Sequence, residues 1–458
     1  MPEPFTVLVM AAGRGTRMHS ELPKVLHPVC GKPMVEWVIG AACDAGAGKV
    51  VCITRPGDGV AEGLPDTVIV AEQTEGEGTG AAILAAREAT GAVGTVVILS
   101  GDHPLVSSEL ISELVASHAS KGASATILTT EELDPTGYGR IVRGAGGAVE
   151  RIVETKHTEG VRPEHLALRE INIGSYAFHA PDLFAALDEV GTEHGERYLT
   201  GVFPVISATG RRVAAHATDD VSSAMGVNDR ADLMDVDARA QRRLLEKHAR
   251  NGVTVLGSDS IRVDADVAVG PDTTLWPGVT LRGRTSVGSA CEVGPHTTVT
   301  DSVLGDGVAV RHSFLDGAIV EDGATLGPFA YLRPGARIGP RAKIGTFVEV
   351  KNSEIGAHTK VPHLSYIGDA DIGENTNIGA GNITANYDGQ NKHRTTIGSG
   401  VKTSVDTSFV APVRVGDGAY TGAGSVITED VPEGALGMAR TRQTNIEGYA
   451  QRKGGEPE

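Results

Sequence analysis

The stretch Ile338-Gly339-Pro340-Arg341-Ala342-Lys343-Ile344-Gly345-Thr346-Phe347-Val348-Glu349-Val350 places an aliphatic residue at every sixth position, with glycine behind the first two. Val287-Gly288, Val293-Gly294 and Val299 form the same ladder upstream. Ile355-Gly356, Val361 and Ile367-Gly368 form it downstream, followed by Ile372-Gly373, Ile378-Gly379, Ile397-Gly398 and Val415-Gly416. A six-residue period suits neither the α-helical repeat nor a strand that alternates faces. It predicts a parallel β-helix in which each hexapeptide supplies one flat side and its aliphatic residue points inward. Small residues are expected to let the corners turn without steric cost. The period breaks between Gly379 and Ile397, where residues 382–394 intervene, and a loop extruded at a solenoid corner is a common binding element.

Composition agrees with a solenoid occupying part of the chain. Sixty glycines in 458 residues, with only 4% aromatics, would suit disorder, collagen or tight-cornered coils. No Gly-X-Y period is present, and valine and isoleucine are plentiful. The length exceeds one ordinary core, so two or three domains are expected. A formal net charge of −17 repels nucleic acid and anionic membranes, so neither is expected as a partner. No secretory signal follows Met1, and no run of apolar residues is long enough to span a bilayer. The four cysteines, Cys30, Cys43, Cys52 and Cys291, lack paired spacing for zinc or redox work, and reduced thiols in a cytoplasmic protein are the expectation.

Upstream of the repeats the texture is different. Short, continuous β-branched runs at 5–10, 50–54, 67–71, 95–100 and 124–129 read as strands buried on both faces. Helical segments at 79–89 and 108–118 lie between them, which predicts a mostly parallel, Rossmann-like α/β sheet with helices on both sides. Residues 229–250 carry no glycine or proline and end at Asn251-Gly252, predicting one helix that joins the halves. The expected division is 1–229, a linker helix over 230–251, and 252–458 with a short disordered tail at 451–458.

Two constellations carry chemistry. The first follows the first strand: Met10-Ala11-Ala12-Gly13-Arg14-Gly15-Thr16-Arg17-Met18, then Pro23-Lys24. Glycines after a strand let backbone N–H groups approach phosphate oxygens, and Arg17 and Lys24 supply positive charge. Neither a dinucleotide fingerprint nor a Walker loop fits the string. The run 95–100 leads into Gly101-Asp102, and a carboxylate just past a parallel strand sits where ligands of open sheets bind and where Mg²⁺ is held. The second constellation lies on the coil: Arg333, Lys351, His363, Tyr366, Asn377, Asn386 and Tyr387. A histidine beside two cations can be kept neutral and act as a general base.

With Gln73, Gly78-Thr79-Gly80, Gly137-Tyr138-Gly139-Arg140, Ile152-Val153-Glu154, Ile171-Asn172 and Gly226-Val227-Asn228, nearly the whole chain resembles, in order, the bacterial bifunctional N-acetylglucosamine-1-phosphate uridylyltransferase/glucosamine-1-phosphate N-acetyltransferase family. The resemblance implies that Met10, Ala11, Ala12 and Gly13 approach UTP while Arg17 and Lys24 hold its phosphates. It implies Gln73, Gly78 and Thr79 at the uracil, Gly139, Glu154 and Asn172 at the sugar, and Asp102 and Asn228 at Mg²⁺. On the coil it implies Arg333 and Lys351 at the phosphate of glucosamine 1-phosphate, and Tyr366 and Asn377 at its sugar. His363 would be the base, Asn386 and Tyr387 would sit at the acetyl group, and Ala380, Ala423 and Arg440 along acetyl-CoA. It also implies a left-handed coil and a homotrimer with each acetyltransfer site built between subunits.

The chain departs from the family pattern at Ala81, where histidine is usual, at the acidic run Thr74-Glu75-Gly76-Glu77, and at Gly201 in place of aspartate. Val405 stands where a coenzyme-contacting serine is expected. Ser404 is not expected to compensate if 404 and 405 alternate along a strand. The alternative reading keeps only the sugar-1-phosphate nucleotidyltransferase and makes the coil a trimerisation scaffold.

Overall fold

Alternate residues of the first strand, Phe5–Met10, enter different cores. Leu8 joins one apolar cluster with Val51, Ile53, Val96, Ile98 and Phe178. Val7 and Val9 join another with Val50, Cys52, Val97 and Leu99. A strand covered on both faces has no polar side, which is why the sequence shows continuous apolar runs. The helix Met34–Asp44 sends Val35, Val38 and Ile39 into one cluster. The helices Ala180–Glu189 and Val202–Ala208 send Leu183, Phe184, Val202 and Phe203 into the other.

The computed structural model describes residues 4–91, 93–144, 147–155, 162–193 and 195–453. Strands of the first sheet run in the order Val213–Ala217, Ala125–Thr130, Ile171–His179, Thr95–Ser100, Phe5–Met10, Lys49–Thr54, Ile69–Glu72. The sheet is mixed. Ile171–His179 pairs antiparallel with both neighbours, and a hairpin of Arg140–Arg143 and Val149–Val153 hangs from its start. The other pairings on the path are parallel. The reversed strand, INIGSYAFH, has only two β-branched residues and a register shift between Asn172 and Tyr176, so it is not among the β-branched runs that mark strands in the sequence. The expected helix over 79–89 is broken into Thr79–Ala85 and Arg87–Thr90.

From Thr254 onward, short strands stack into three parallel ladders that wrap one core. One coil shows the rule: Ile338, Ile344 and Val350 lie on successive sides and pair with Ile355, Val361 and Ile367 of the next. Each hexapeptide ladder in the sequence is therefore one turn of the coil, and the inward residues form a single continuous column of Val, Ile, Leu and Ala.

The corners agree with expectation in part. Gly283, Gly307, Gly323, Gly400 and Gly418 take positive φ as small corner residues, but one column of left-handed positions is filled by His296, His312, Phe329, Phe347 and Leu364, with φ between 44° and 60°. The glycines behind the aliphatic residues serve another purpose: a Cβ on Gly356 would lie 2.6 Å from the Gly373 carbonyl carbon, and one on Gly339 would lie 2.8 Å from the Ile355 oxygen. Close approach of successive coils, rather than backbone freedom, requires glycine there.

The interruption in the repeat is shorter than 382–394. Ile383–Ala385 is a regular strand of the coil, and the chain leaves only afterwards, returning at Thr395–Ile397. A helix spans Arg230–Arg250, and the two compact units are Met1–Gln241 and Arg242–Glu458. Of the tail expected to be disordered, Tyr449–Lys453 form a helical turn and 454–458 lie outside the described residues. Among the described residues no helix is long and apolar enough to cross a membrane.

Candidate active sites

Strand ends along the carboxyl edge of the first sheet bring the first constellation together. The Ala11 N–H donates to the Ile53 carbonyl (2.9 Å), so the chain leaving the first strand, with Met10 as its last residue, is anchored beside the next one. Gly15 turns it with φ 55°, and a Cβ there would fall 2.6 Å from Lys24 Cβ. Glycine is needed on both counts, since the loop must pack directly on the lysine. Gly101 N–H donates to the Met10 carbonyl (2.9 Å), which sets the next residue, Asp102, against this loop.

Lys24 Nζ and Asp102 form an ion pair with side chains 14% and 15% exposed. His103 Nε2 lies 3.7 Å from the other Asp102 oxygen, which has no hydrogen-bond partner. Burial works to raise the Asp102 carboxyl, but Lys24 and His103 outweigh it and hold it below the usual carboxylate range. Val227 N–H donates to the Asp102 carbonyl (2.9 Å), which brings the neighbouring Asn228 close, and Arg17 donates to Asn228 Oδ1 (2.9 Å). Asp102 and Asn228 thus share one corner with Arg17 and Lys24.

Gln73 is buried and donates to the Gly76 carbonyl (3.0 Å). Gly78 is in the left-handed half of backbone space, with its Cα against the Arg197 backbone, and Thr79 Oγ1 accepts from Leu199 N–H (2.9 Å). The sugar-side candidates also converge. Asn172 N–H donates to the Gly139 carbonyl (2.9 Å), and a Cβ on Gly139 would lie 3.6 Å from Asn172 Cβ and 3.7 Å from Glu154 Oε2. Thr200 Oγ1 donates to Glu154 (3.0 Å). Of the departures, Gly201 faces Val190, where a Cβ would come within 2.9 Å of a methyl group, so an aspartate there would require the Val190 side chain to shift.

Glu77, the last residue of the acidic run that departs from the family pattern, has two partners from distant segments. Arg14 Nη2 donates to Glu77 Oε1 (2.6 Å), and Arg55 Nη2 donates to Glu77 Oε2 (2.7 Å). Arg55 sits just past the strand Lys49–Thr54 and also donates to the Ala12 carbonyl (2.6 Å).

On the coil, the second constellation divides between two edges of one side. Arg333 N–H donates to the Val350 carbonyl (2.8 Å), which puts Arg333 in register with Lys351 one coil on. Arg333 pairs with Glu349 (2.8 Å) and Lys351 with Asp369 (3.3 Å). Asn352 donates to Asp369 (2.6 Å), and so does Asn386 from the extruded loop. Burial opposes ionisation of Lys351, but the hydrogen bond and charge of the Asp369 carboxylate hold its ammonium above the usual lysine range. Lys392, beside Lys351, is pushed down. Tyr366 starts the next strand of this side, and its phenol lies over Gly368, where a side chain would collide with the ring.

The opposite edge carries His363, whose strand Lys360–His363 belongs to the preceding side. Gly381 N–H donates to the His363 carbonyl (3.3 Å), Asp406 N–H to that of Ala380 (2.8 Å), and Gly424 N–H to that of Val405 (3.0 Å). His363, Ala380, Val405 and Ala423 therefore rise along one edge, coil by coil. Asn377 bridges Lys360 and Lys402 on the His363 side of the coil, and Tyr387 and Arg440 are exposed. Among the described residues no hydrogen bond or ion pair joins the His363 ring to Arg333 or Lys351. One chain gathers the cations with Tyr366 and Asn386, and sets His363, Asn377 and the Ala380–Ala423 edge apart. Ser404 and Val405 enter a turn, so the strand alternation expected of them does not apply. Val405 is 46% exposed.

Glu349, Asn352, Asp369 and Lys392 were not singled out from the sequence. For Glu349, Asn352 and Asp369 the signal was the coil repeat, since Glu349 stacks on Tyr366 and Lys351 on Gly368, the residue before Asp369; Lys392, in the extruded loop, had none.

A sheet whose carboxyl edge carries a glycine loop, a lysine–aspartate pair and a separate sugar-side cluster defines a nucleotidyltransferase unit. Residues 7–202 match the family model described as a MobA-like NTP transferase domain, and 317–352 match bacterial transferase hexapeptide repeats. Curated relatives extend end to end. A bifunctional protein GlmU of Mycolicibacterium vanbaalenii is 46% identical, covering 98% of this chain and 93% of its own. That of Caldanaerobacter subterraneus is 44% identical over 98% of each, and that of Kineococcus radiotolerans is 47% identical over 98% of this chain and 92% of its own. The chain belongs to the GlmU family.

Proposed function

We propose that the chain makes UDP-N-acetylglucosamine in two steps: acetyl transfer from acetyl-CoA to glucosamine 1-phosphate, then uridylyl transfer from UTP to N-acetylglucosamine 1-phosphate with release of pyrophosphate. The observation that carries this reading is its end-to-end likeness, at 46% identity over 98% of the chain, to a bifunctional relative.

In the sheet unit, Lys24 and Arg17 neutralise the triphosphate while Ala11, Ala12 and Gly13 let it approach the backbone. Gln73, Gly78 and Thr79 take the base, and Gly139, Glu154 and Asn172 the sugar. A sugar-phosphate oxygen then attacks the α-phosphorus in line, so positioning and charge neutralisation supply the rate. The buried, unpartnered oxygen of Asp102, with the Asn228 amide oxygen beside it, forms a hard-oxygen donor set that fits Mg²⁺. Bound there, Mg²⁺ would neutralise charge on the triphosphate.

On the coil, Arg333 and Lys351 grip the sugar phosphate, and Tyr366 and Asn377 orient the sugar. His363 removes a proton from the amine as its nitrogen attacks the thioester carbonyl, and the coenzyme leaves as thiol. Asn386 and Tyr387 sit at the acetyl group, and Ala380, Ala423 and Arg440 follow the coenzyme. The separation of the two edges within one chain supports a homotrimer in which neighbouring copies complete each site. So does the corner column of His312, Phe329 and Phe347, whose rings lie 5.7 and 5.3 Å apart, since Phe329 and Phe347 are more than half exposed. Four free cysteines and the need for UTP and acetyl-CoA support a cytoplasmic setting.

The test is a paired assay on the wild type. Thiol release with glucosamine 1-phosphate and acetyl-CoA, and pyrophosphate release with UTP and N-acetylglucosamine 1-phosphate, are both expected. Pyrophosphate without thiol would reduce the chain to a nucleotidyltransferase on a scaffold.

A further inference from the structure

Three cations belong to the loop after the first strand, and each is held by a single side chain. Lys24 pairs with Asp102, Arg17 with Asn228, and Arg14 with Glu77. The first two were expected at the nucleotide from sequence. The third was not, and nothing about a glycine loop requires a cation between its two glycines.

The geometry around Glu77 is specific. Its carboxylate is shared between Arg14 at 2.6 Å and Arg55 at 2.7 Å, and it is held below the usual range first by the Arg55 hydrogen bond. Its backbone is also fixed, since the Glu77 carbonyl accepts from Arg197 N–H (2.8 Å). Arg55, 26% exposed, is tied to the Ala12 carbonyl of the same glycine loop. Arg14, by contrast, is 68% exposed and has no other side-chain partner among the described residues. Of the two pairs, the outer one is therefore weak and exchangeable, and the inner one keeps Glu77 in place whether or not Arg14 is bound.

We infer that Arg14 is a further triphosphate-binding residue and that Glu77 is its positioning residue, holding the guanidinium at the mouth of the loop until phosphate oxygens of a nucleoside triphosphate compete it away. This rests on the reading that residues 11–24 hold the nucleotide's phosphates. The physics is a competition for one guanidinium between a single carboxylate and a triphosphate of several negative charges, which presents the better bidentate acceptor. Because Arg55 retains Glu77, the carboxylate does not follow Arg14 toward the phosphates, where like charge would repel it. The exchange reverses as pyrophosphate leaves, so Glu77 trades nucleotide affinity for release.

The experiment measures binding of UTP and UMP to the full-length protein by calorimetry in Arg14→Ala, Glu77→Gln and the double variant. Arg14→Ala should weaken UTP about tenfold, the worth of a charge-assisted hydrogen bond, and leave UMP unchanged. Glu77→Gln should tighten UTP about threefold in the wild-type background and have no effect once Arg14 is gone. Equal effects of Glu77→Gln in both backgrounds, equal loss of UTP and UMP in Arg14→Ala, or no effect of either change overturns the inference. Unchanged UMP binding shows that the variants have folded. Lys24→Ala separates this failure from that of the underlying reading: if it too leaves UTP binding untouched, the loop does not hold phosphates at all.

Discussion

In the sheet unit the Lys24–Asp102 pair is about 15% exposed; on the coil Lys351 and Asp369 are comparably buried, at 19% and 9%, while Arg333 and Glu349 beside them are 40% and 37% exposed. Both sites are proposed to hold a phosphate. The first sits in a crevice where neighbouring strand ends and loops converge, and most of its polar groups are bound to one another within the chain. The second lies along the outer surface of a coil whose column of Val, Ile, Leu and Ala is flanked by buried Ser and Thr such as Ser353 and Thr359, with its base and its cations on different edges. A doubly covered sheet has an end, and loops from several strands can fold over it. A solenoid has only sides and corners, so a concave site needs an extruded loop or another copy of the chain.

The separation between the sites is broken most directly by Asp102→Ala. It should lower pyrophosphate release by about 10³–10⁴-fold, several kcal/mol of lost charge stabilisation, and leave thiol release unchanged. The mirror-image change, His363→Ala, should cut thiol release by about 10²–10³-fold and spare pyrophosphate release. If either variant loses both activities, the sites are not independent.

Packing differs as sharply, and one type of substitution should have opposite signs in the two units. Gly356→Ala drives a methyl into the Gly373 backbone and should destabilise the coil by about 2–3 kcal/mol. Gly40→Ala lies in the helix Met34–Asp44 with no atom near the new methyl, and should stabilise the sheet unit by about 0.5–1 kcal/mol. Denaturant titrations that gave the same sign for both would refute the close-approach explanation of the coil glycines.

Acid should weaken the sheet unit through His118. Burial first, and His179 second, push it down from 6.5 to about 4, and its Nδ1 lies 2.9 Å from Thr126 Oγ1. Between those values the unfolded chain binds a proton that the folded one refuses. Stability is therefore complete above pH 6.5 and falls as the pH drops toward 4, by on the order of 3 kcal/mol. His118→Gln should flatten that part of the thermal-melt profile. The smallest effect belongs to the coil: Val405→Ser should restore a hydrogen bond to the coenzyme and lower KM for acetyl-CoA by about fivefold, with kcat unchanged.

The coil was legible because its signal is one-dimensional. Each inward residue repeats at a fixed step, so Ile338, Ile344 and Val350 announce their own sides. The reversed strand Ile171–His179 was not legible, because Asn172, Gly174, Ser175 and His179 interrupt the continuous β-branched run by which the other strands were read. Large residues at the corners were also unexpected, because the stacking that stabilises His312, Phe329 and Phe347 is between successive coils rather than along the chain.

For the sites, residue types with local reasons to exist could be read directly: Gly15 before Lys24, Asp102 after a strand, and the hexapeptide neighbours of Lys351 and His363. Pairings between distant segments could not. Glu77 with Arg14 and Arg55, and Asp369 with Lys351 and Asn386, join side chains from separate strands or coils. The sequence alone determined the period, the phosphate loop and the chemistry of the candidate groups, since these follow from neighbours in the chain. Tertiary structure decided which charges neutralise which, and that His363 and Arg333 occupy different edges, because Coulomb and packing forces act through space and take no account of sequence distance.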